Sequence, residues 1–131
     1  MPKFKMNTDI TYVKSALVEK NIFLSSPAED VALPKYEEIA HLLPSPIWQG
    51  HDDVISCHDF AWRTAFKNLK KANGSSNFVS NYIDTAFNGH LFMWDSSFIV
   101  MFGKDGAHAI KNKKTLDNFY SHQHVDGFIC R

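Results

Sequence analysis

Residues 91–103, Leu-Phe-Met-Trp-Asp-Ser-Ser-Phe-Ile-Val-Met-Phe-Gly, decide the fold class of this chain. Asp95 is placed to cap a helix, because a carboxylate oxygen accepts from the backbone N–H groups that a helix start leaves unpaired. From that cap Phe98, Met101 and Phe102 point to one side, while Ile99 and Val100 cover much of the rest. A helix that is apolar nearly all round is a buried helix. It is expected to end at Gly103, or one turn later at Gly106.

The segments on either side extend the helical pattern. Upstream, a body begins near Asp52-Asp53, and Trp62, Ala65, Phe66 and Leu69 fall at i, i+3, i+4 and i+7. That spacing puts them on one helix face, with Lys67, Lys70 and Lys71 off it. Asn73-Gly74-Ser75-Ser76-Asn77 is a stop and loop. Residues 78–93 mix β-branched and aromatic side chains with Asn81, Asp84, Asn88 and Gly89, and are expected to form a loop of extended character rather than a strand pair. Downstream, a third helix is expected from about Ala109 to Gln123, with Leu116, Phe119, Tyr120 and Gln123 sharing one face. Asp126-Gly127 makes a turn.

The first fifty residues differ. Pro27, Pro34, Pro44 and Pro46 recur within about twenty residues, a spacing that breaks helices and leaves extended segments. A short helix fits between two of them, over Lys35–Leu43. The expected organisation is an irregular lead-in over 1–50 and an all-α body over 51–131 with about three helices.

At 131 residues the chain is one domain at most, and 44% hydrophobic with 14% aromatic residues it is globular in character. Fourteen basic residues against fourteen acidic ones give a formal net charge of zero, so no nucleic-acid or anionic-membrane partner is expected. Two cysteines, Cys57 and Cys130, are too few for a secreted disulfide scaffold and are expected to be free and mostly buried. No segment is apolar for long enough to act as a signal peptide or to span a bilayer. The chain as written is therefore expected to be soluble and cytoplasmic.

Two polar clusters carry the candidate chemistry. Trp94 can offer an apolar face to the C–H side of a pyranose, and Asp95 can accept from adjacent hydroxyls in charge-assisted hydrogen bonds. The plainer account is a core Trp beside an N-cap Asp, which is the commoner arrangement. Gln123, His124 and Asp126 pair an amide with a carboxylate on a tight turn. Their plainer account is an ordinary helix C-terminus. His122 and His124 form an H-x-H pair, but no HExxH or CxxC accompanies them, so no metal is expected. No Gly-x-Ser-x-Gly and no phosphate-cradling glycine loop occurs, and Lys111, Lys113 and Lys114 are simplest as a solvated face. No cofactor is expected.

FMWDSSF at 92–98, followed by LDNFYSHQHVDGFICR at 116–131, resembles the first hairpins of six-hairpin, (α/α)6-barrel glycoside hydrolases. The group includes trehalases, processing glucosidases and mannosylglycerate hydrolases. There a Trp-Asp-Ser/Thr motif opens an inner barrel helix, and a Q-x-x-D-G motif follows about thirty residues on. LPSPIWQGHDD at 43–53, FAWRTAFKNL at 60–69 and FVSNYIDTAFNGHLF at 78–92 resemble the same group's lead-in, so the resemblance covers residues 43–131.

The resemblance implies a partial (α/α)6 toroid acting on a carbohydrate substrate. Trp94 and Asp95 would line the subsite for the sugar being cleaved. Gln123, Asp126 and Arg131 would sit at the mouth of that pocket, and Phe92 and Phe98 would pack around the platform. The general acid and base of an inverting enzyme, two carboxylates about 6.5–9.5 Å apart, come from downstream hairpins in this group. No catalytic residue is therefore expected in this chain, which is expected to be a truncated, inactive portion. Faces such as Phe98, Met101 and Phe102 would then be exposed and open to self-association. The alternative is a stand-alone helical interaction module without enzymatic activity.

Overall fold

The computed structural model describes residues 21–72, 78–85, 90–124 and 128–129. Among them the chain is mostly helical, in accord with the all-α expectation. The helices are α1 (Tyr36–Ile39), α2 (Asp52–Lys67), α3 (Met93–Gly103) and α4 (Thr115–Tyr120). Single 3-10 turns cover Ile22–Ser25, Ala40–Leu42, Lys104–Gly106 and Asn112–Lys114.

α2 is the structural axis. Asp52 and Asp53 occupy its first turn and Lys67 its last, each with the charge that the helix dipole favours at that end. Trp62 and Ala65 are its buried residues, and Phe66 packs beside them. Leu69 does not continue the helix. Asn68 ends it, with its Nδ2 donating to the Thr64 carbonyl at 2.9 Å. β1 (Leu69–Lys70) then pairs antiparallel with β2 (Tyr82–Ile83), Leu69 opposite Ile83. Leu69 keeps its inward role, because it packs against the same cluster from the strand. The segment 78–93, expected to be an extended loop rather than a strand pair, thus carries one short strand, Tyr82–Ile83, whose partner Leu69–Lys70 lies outside it.

The core joins Trp62, Ala65, Ile83 and Ile110, with Tyr36, Ile39, Leu43, Phe66, Leu69 and Ile99 packed around them. Tyr36, Ile39 and Leu43 come from the lead-in, so its short helix and turn cover the body. Gly106 approaches Trp62 so closely that a Cβ there would stand 2.5 Å from the indole. The indole also packs on Phe102, with ring centroids 4.4 Å apart.

α3 departs from its expected burial. It starts at Met93, with Phe92 as the N-cap residue and no side-chain cap, so Asp95 sits inside the first turn rather than capping it. Its buried residues are Ser96 and Gly103. Trp94, Phe98, Met101 and Phe102 are exposed. Its small residues make the closest approach to the body: Ser96 is fully buried, and Gly103 lies against the Asn112 side chain, while Ile99 packs on the core and Phe102 on the Trp62 indole. Asn112 Nδ2 donates to the Ile99 carbonyl at 2.9 Å, fixing that approach.

The third helix is shorter than expected. Residues 112–114 form a 3-10 turn, and only Thr115–Tyr120 is α-helical. Its buried face is Thr115, Asn118 and Phe119, while Tyr120 is exposed. Asn118 explains the rotation. Its Oδ1 accepts from Val79 N and Ser80 N, and its Nδ2 donates to the Ser80 carbonyl, all at 2.9 Å. An inward amide that satisfies three backbone groups outweighs the apolar stripe. Cys57 is free but exposed rather than buried, and Cys130 lies outside the described residues.

Candidate functional site

The first turn of α3 carries the aromatic–carboxylate pair. Trp94 is 75% exposed, and its ring meets Phe98, one turn on, edge to face at 5.2 Å. Asp95 is partly exposed in the same turn, where a carboxylate gains from the unpaired N–H groups of the helix start. Phe92 precedes the helix, with its ring 6.3 Å from that of His90. The result is a solvent-facing indole braced by a second aromatic, with a carboxylate next to it.

Gln123 follows α4, and its position is set from the lead-in. Its Oε1 accepts from Asn21 Nδ2 at 2.9 Å, and the same Nδ2 donates to the Tyr120 carbonyl at 3.0 Å. Asn21 Oδ1 meanwhile accepts from Phe23 N at 2.9 Å, and the Phe23 ring stacks on Tyr120 at 5.8 Å. α3 and α4 touch each other, so the helix carrying Trp94 and Asp95 neighbours the one that Gln123 follows. Asp126 and Arg131 lie outside the described residues. Among the described residues, no three His, Cys, Asp or Glu side chains are grouped as a metal site would need, and no helix is long and apolar enough to cross a membrane.

A polar constellation not anticipated from sequence lies on the outer side of α2. The Tyr36 hydroxyl donates to Asp59 Oδ1. Arg63 Nε donates to Asp59 Oδ2 at 2.7 Å, and its guanidinium lies 4.4 Å over the Tyr36 ring. The Tyr36 hydroxyl, and after it Arg63, hold the Asp59 carboxyl below its ordinary range. The same hydrogen bond raises the Tyr36 phenol. His58 is one residue away and accepts from Trp62 Nε1 at 3.3 Å. Tyr36, His58, Asp59 and Trp62 all border an open pocket of about 300 Å³ that Pro44 and Pro46 also line. The i, i+4 spacing of Asp59 and Arg63 was legible in the sequence, but Tyr36 joins them from a different segment.

No protein-family model, curated protein or solved structure matches the chain. The functional reading therefore rests on the residues themselves.

Proposed function

We propose that this chain is part of a six-hairpin glycoside hydrolase and supplies one wall of a sugar-binding subsite, without the catalytic acid–base pair. The observation that carries the reading is the exposed Trp94, braced by Phe98 and followed directly by Asp95. An indole face suits the apolar side of a pyranose, and a carboxylate beside it suits the hydroxyl edge. The outward stripe Trp94, Phe98 and Met101, at i, i+4 and i+7, supports the (α/α)6 arrangement, in which inner-helix faces are covered by further hairpins. Gln123, steadied by Asn21, adds an amide just past the end of the neighbouring α4.

The test is saccharide binding followed residue by residue in amide NMR spectra. Glucose, mannose and trehalose are titrated into the parent, Trp94→Ala and Asp95→Asn. Weak saturable binding that shifts residues 92–98 in the parent, and is lost in both variants, is expected. Binding unchanged in the variants refutes the platform. Turnover of an α-glucoside or α-mannoside by this chain alone refutes the separation of binding from catalysis.

The same surface favours a second reading. Met93, Trp94, Phe98, Met101 and Phe102 are exposed together, and clustered exposed apolar side chains mark protein-binding surfaces. A helical interaction module would unfold cooperatively as a monomer, bind no saccharide and lose its partner on Phe98→Asp.

A further inference from the structure

A second cavity lies where the lead-in crosses the body. It encloses about 290 Å³ between residues 29–34, β1 and the segment 109–114. Its apolar walls are Val31, Ala32 and Pro34 on one side and Leu69 and Ile110 on the other. Leu69 and Ile110 belong to the central core, so an occupant would touch the core directly.

The wall formed by the lead-in is built rather than incidentally apposed. Glu29 N donates to the Val79 carbonyl at 2.8 Å. Asn81 Nδ2 donates to the Val31 carbonyl at 3.1 Å, while its Oδ1 accepts from Ala72 N at 2.9 Å. Lys114 Nζ pairs with Glu29 at 2.7 Å. Asn112, also in the lining, has its Nδ2 on the Ile99 carbonyl, and its Oδ1 accepts from Thr115 Oγ1 at 3.2 Å. The amides that border the cavity are thus engaged within the protein and leave its interior apolar.

The charges at its edge are unequal. Glu29 and Lys114 neutralise each other, whereas Lys111 makes no ion pair among the described residues. An apolar cavity with one uncompensated ammonium at its mouth complements a small apolar molecule ending in an anion. We infer that this cavity binds a medium-chain carboxylate, its alkyl chain against Leu69 and Ile110 and its carboxylate at Lys111. This site is separate from the α3 surface and does not depend on the glycoside-hydrolase reading.

The experiment is a titration of the full chain with octanoate, and with octylamine as a chain-matched cation, followed in amide NMR spectra. Octanoate is expected to bind saturably with shifts at Leu69, Asn81, Ile110 and Lys111, and octylamine to bind at least several-fold more weakly. Lys111→Glu should weaken octanoate roughly fivefold or more, as expected for reversing one partly exposed charge. Ala32→Trp, which fills the cavity from its outer wall, should abolish binding while circular dichroism still shows a folded chain. Equal binding of the two amphiphiles, unchanged affinity in the folded Lys111→Glu variant, or shifts confined to Trp94, Phe98 and Met101 would overturn the assignment.

Discussion

Asn21 Nδ2 donates to Gln123 Oε1 at 2.9 Å, joining residues 102 apart in sequence. The link ties the described start of the lead-in to the end of α4, and sets which way the Gln123 amide faces. Asn21→Asp keeps an oxygen for Phe23 N but loses both donated bonds. Intramolecular hydrogen bonds contribute about 1 kcal/mol each, less where water competes. Asn21→Asp is therefore expected to cost about 1–2 kcal/mol, with Asn21→Ala slightly worse through loss of the turn contact. Urea denaturation of both variants checks the order.

Asn118 carries more. It is almost fully buried, and its amide serves Val79 N, Ser80 N and the Ser80 carbonyl. Asn118→Leu has nearly the right volume but leaves those three backbone groups without partners. The expected cost is about 3–5 kcal/mol, because each orphaned buried group loses hydration as well as its bond. It should exceed the cost of any substitution on the exposed face of α3, as measured by chemical denaturation.

Gly106 tests the closeness of core packing. A Cβ there would stand 2.5 Å and 3.0 Å from the Trp62 ring and 3.1 Å from Leu43 Cδ2. Trp62 is 2% exposed and cannot retreat. Gly106→Ala is expected to destabilise by about 1–3 kcal/mol through overpacking, and to perturb the near-ultraviolet circular dichroism of Trp62. Gly50 has φ +78°, and a Cβ added there would meet nothing within 4 Å. Gly50→Ala should instead be penalised only for its left-handed backbone.

How far these contacts were legible in sequence varies with their range. α2 was legible because Trp62, Ala65 and Phe66 recur with helical period beside an acidic first turn. α3 was legible as a helix but not in its orientation. An all-apolar helix carries no moment to choose a face, and the choice fell to the buried Ser96 and to Gly103, whose small size admits Asn112. The inward turn of Asn118 had no local sign, since its partners lie 38 and 39 residues away. Of the candidate site, the exposed Trp94–Asp95 pair stands out in the structure, and the fixing of Gln123 by Asn21 had no sequence signature.

The Tyr36–Asp59 hydrogen bond predicts a pH dependence at both extremes. Asp59 is held below its unfolded value of 3.8, so its contribution is present above that pH and is lost as pH falls through the lower folded value. Tyr36 is raised above its unfolded value of 10.0, so its contribution is present below that pH and is lost as pH rises through the higher folded value. Tyr36→Phe removes the shared bond. It should lower stability at neutral pH while flattening both the acid and the alkaline limbs. Melting curves across the pH range, parent against Tyr36→Phe, check this.

Ser96 offers the opposite test, a substitution expected to help. Its side chain is fully buried, and its Oγ has no hydrogen-bond partner among the described residues. The neighbouring Ser97 satisfies its own hydroxyl by donating to the Met93 carbonyl at 2.7 Å. A buried hydroxyl without a partner has lost its hydration with no bond in return. Alanine removes that cost, improves helix propensity and leaves only a small void. Ser96→Ala is therefore expected to be neutral or to stabilise by up to about 1 kcal/mol, and Ser96→Val to destabilise because the fully buried Ser96 position has no room for a branched side chain. A rise in the denaturation midpoint for Ala with a fall for Val would establish that α3 sets Ser96 tightly against the body and holds Trp94, Phe98 and Met101 outward.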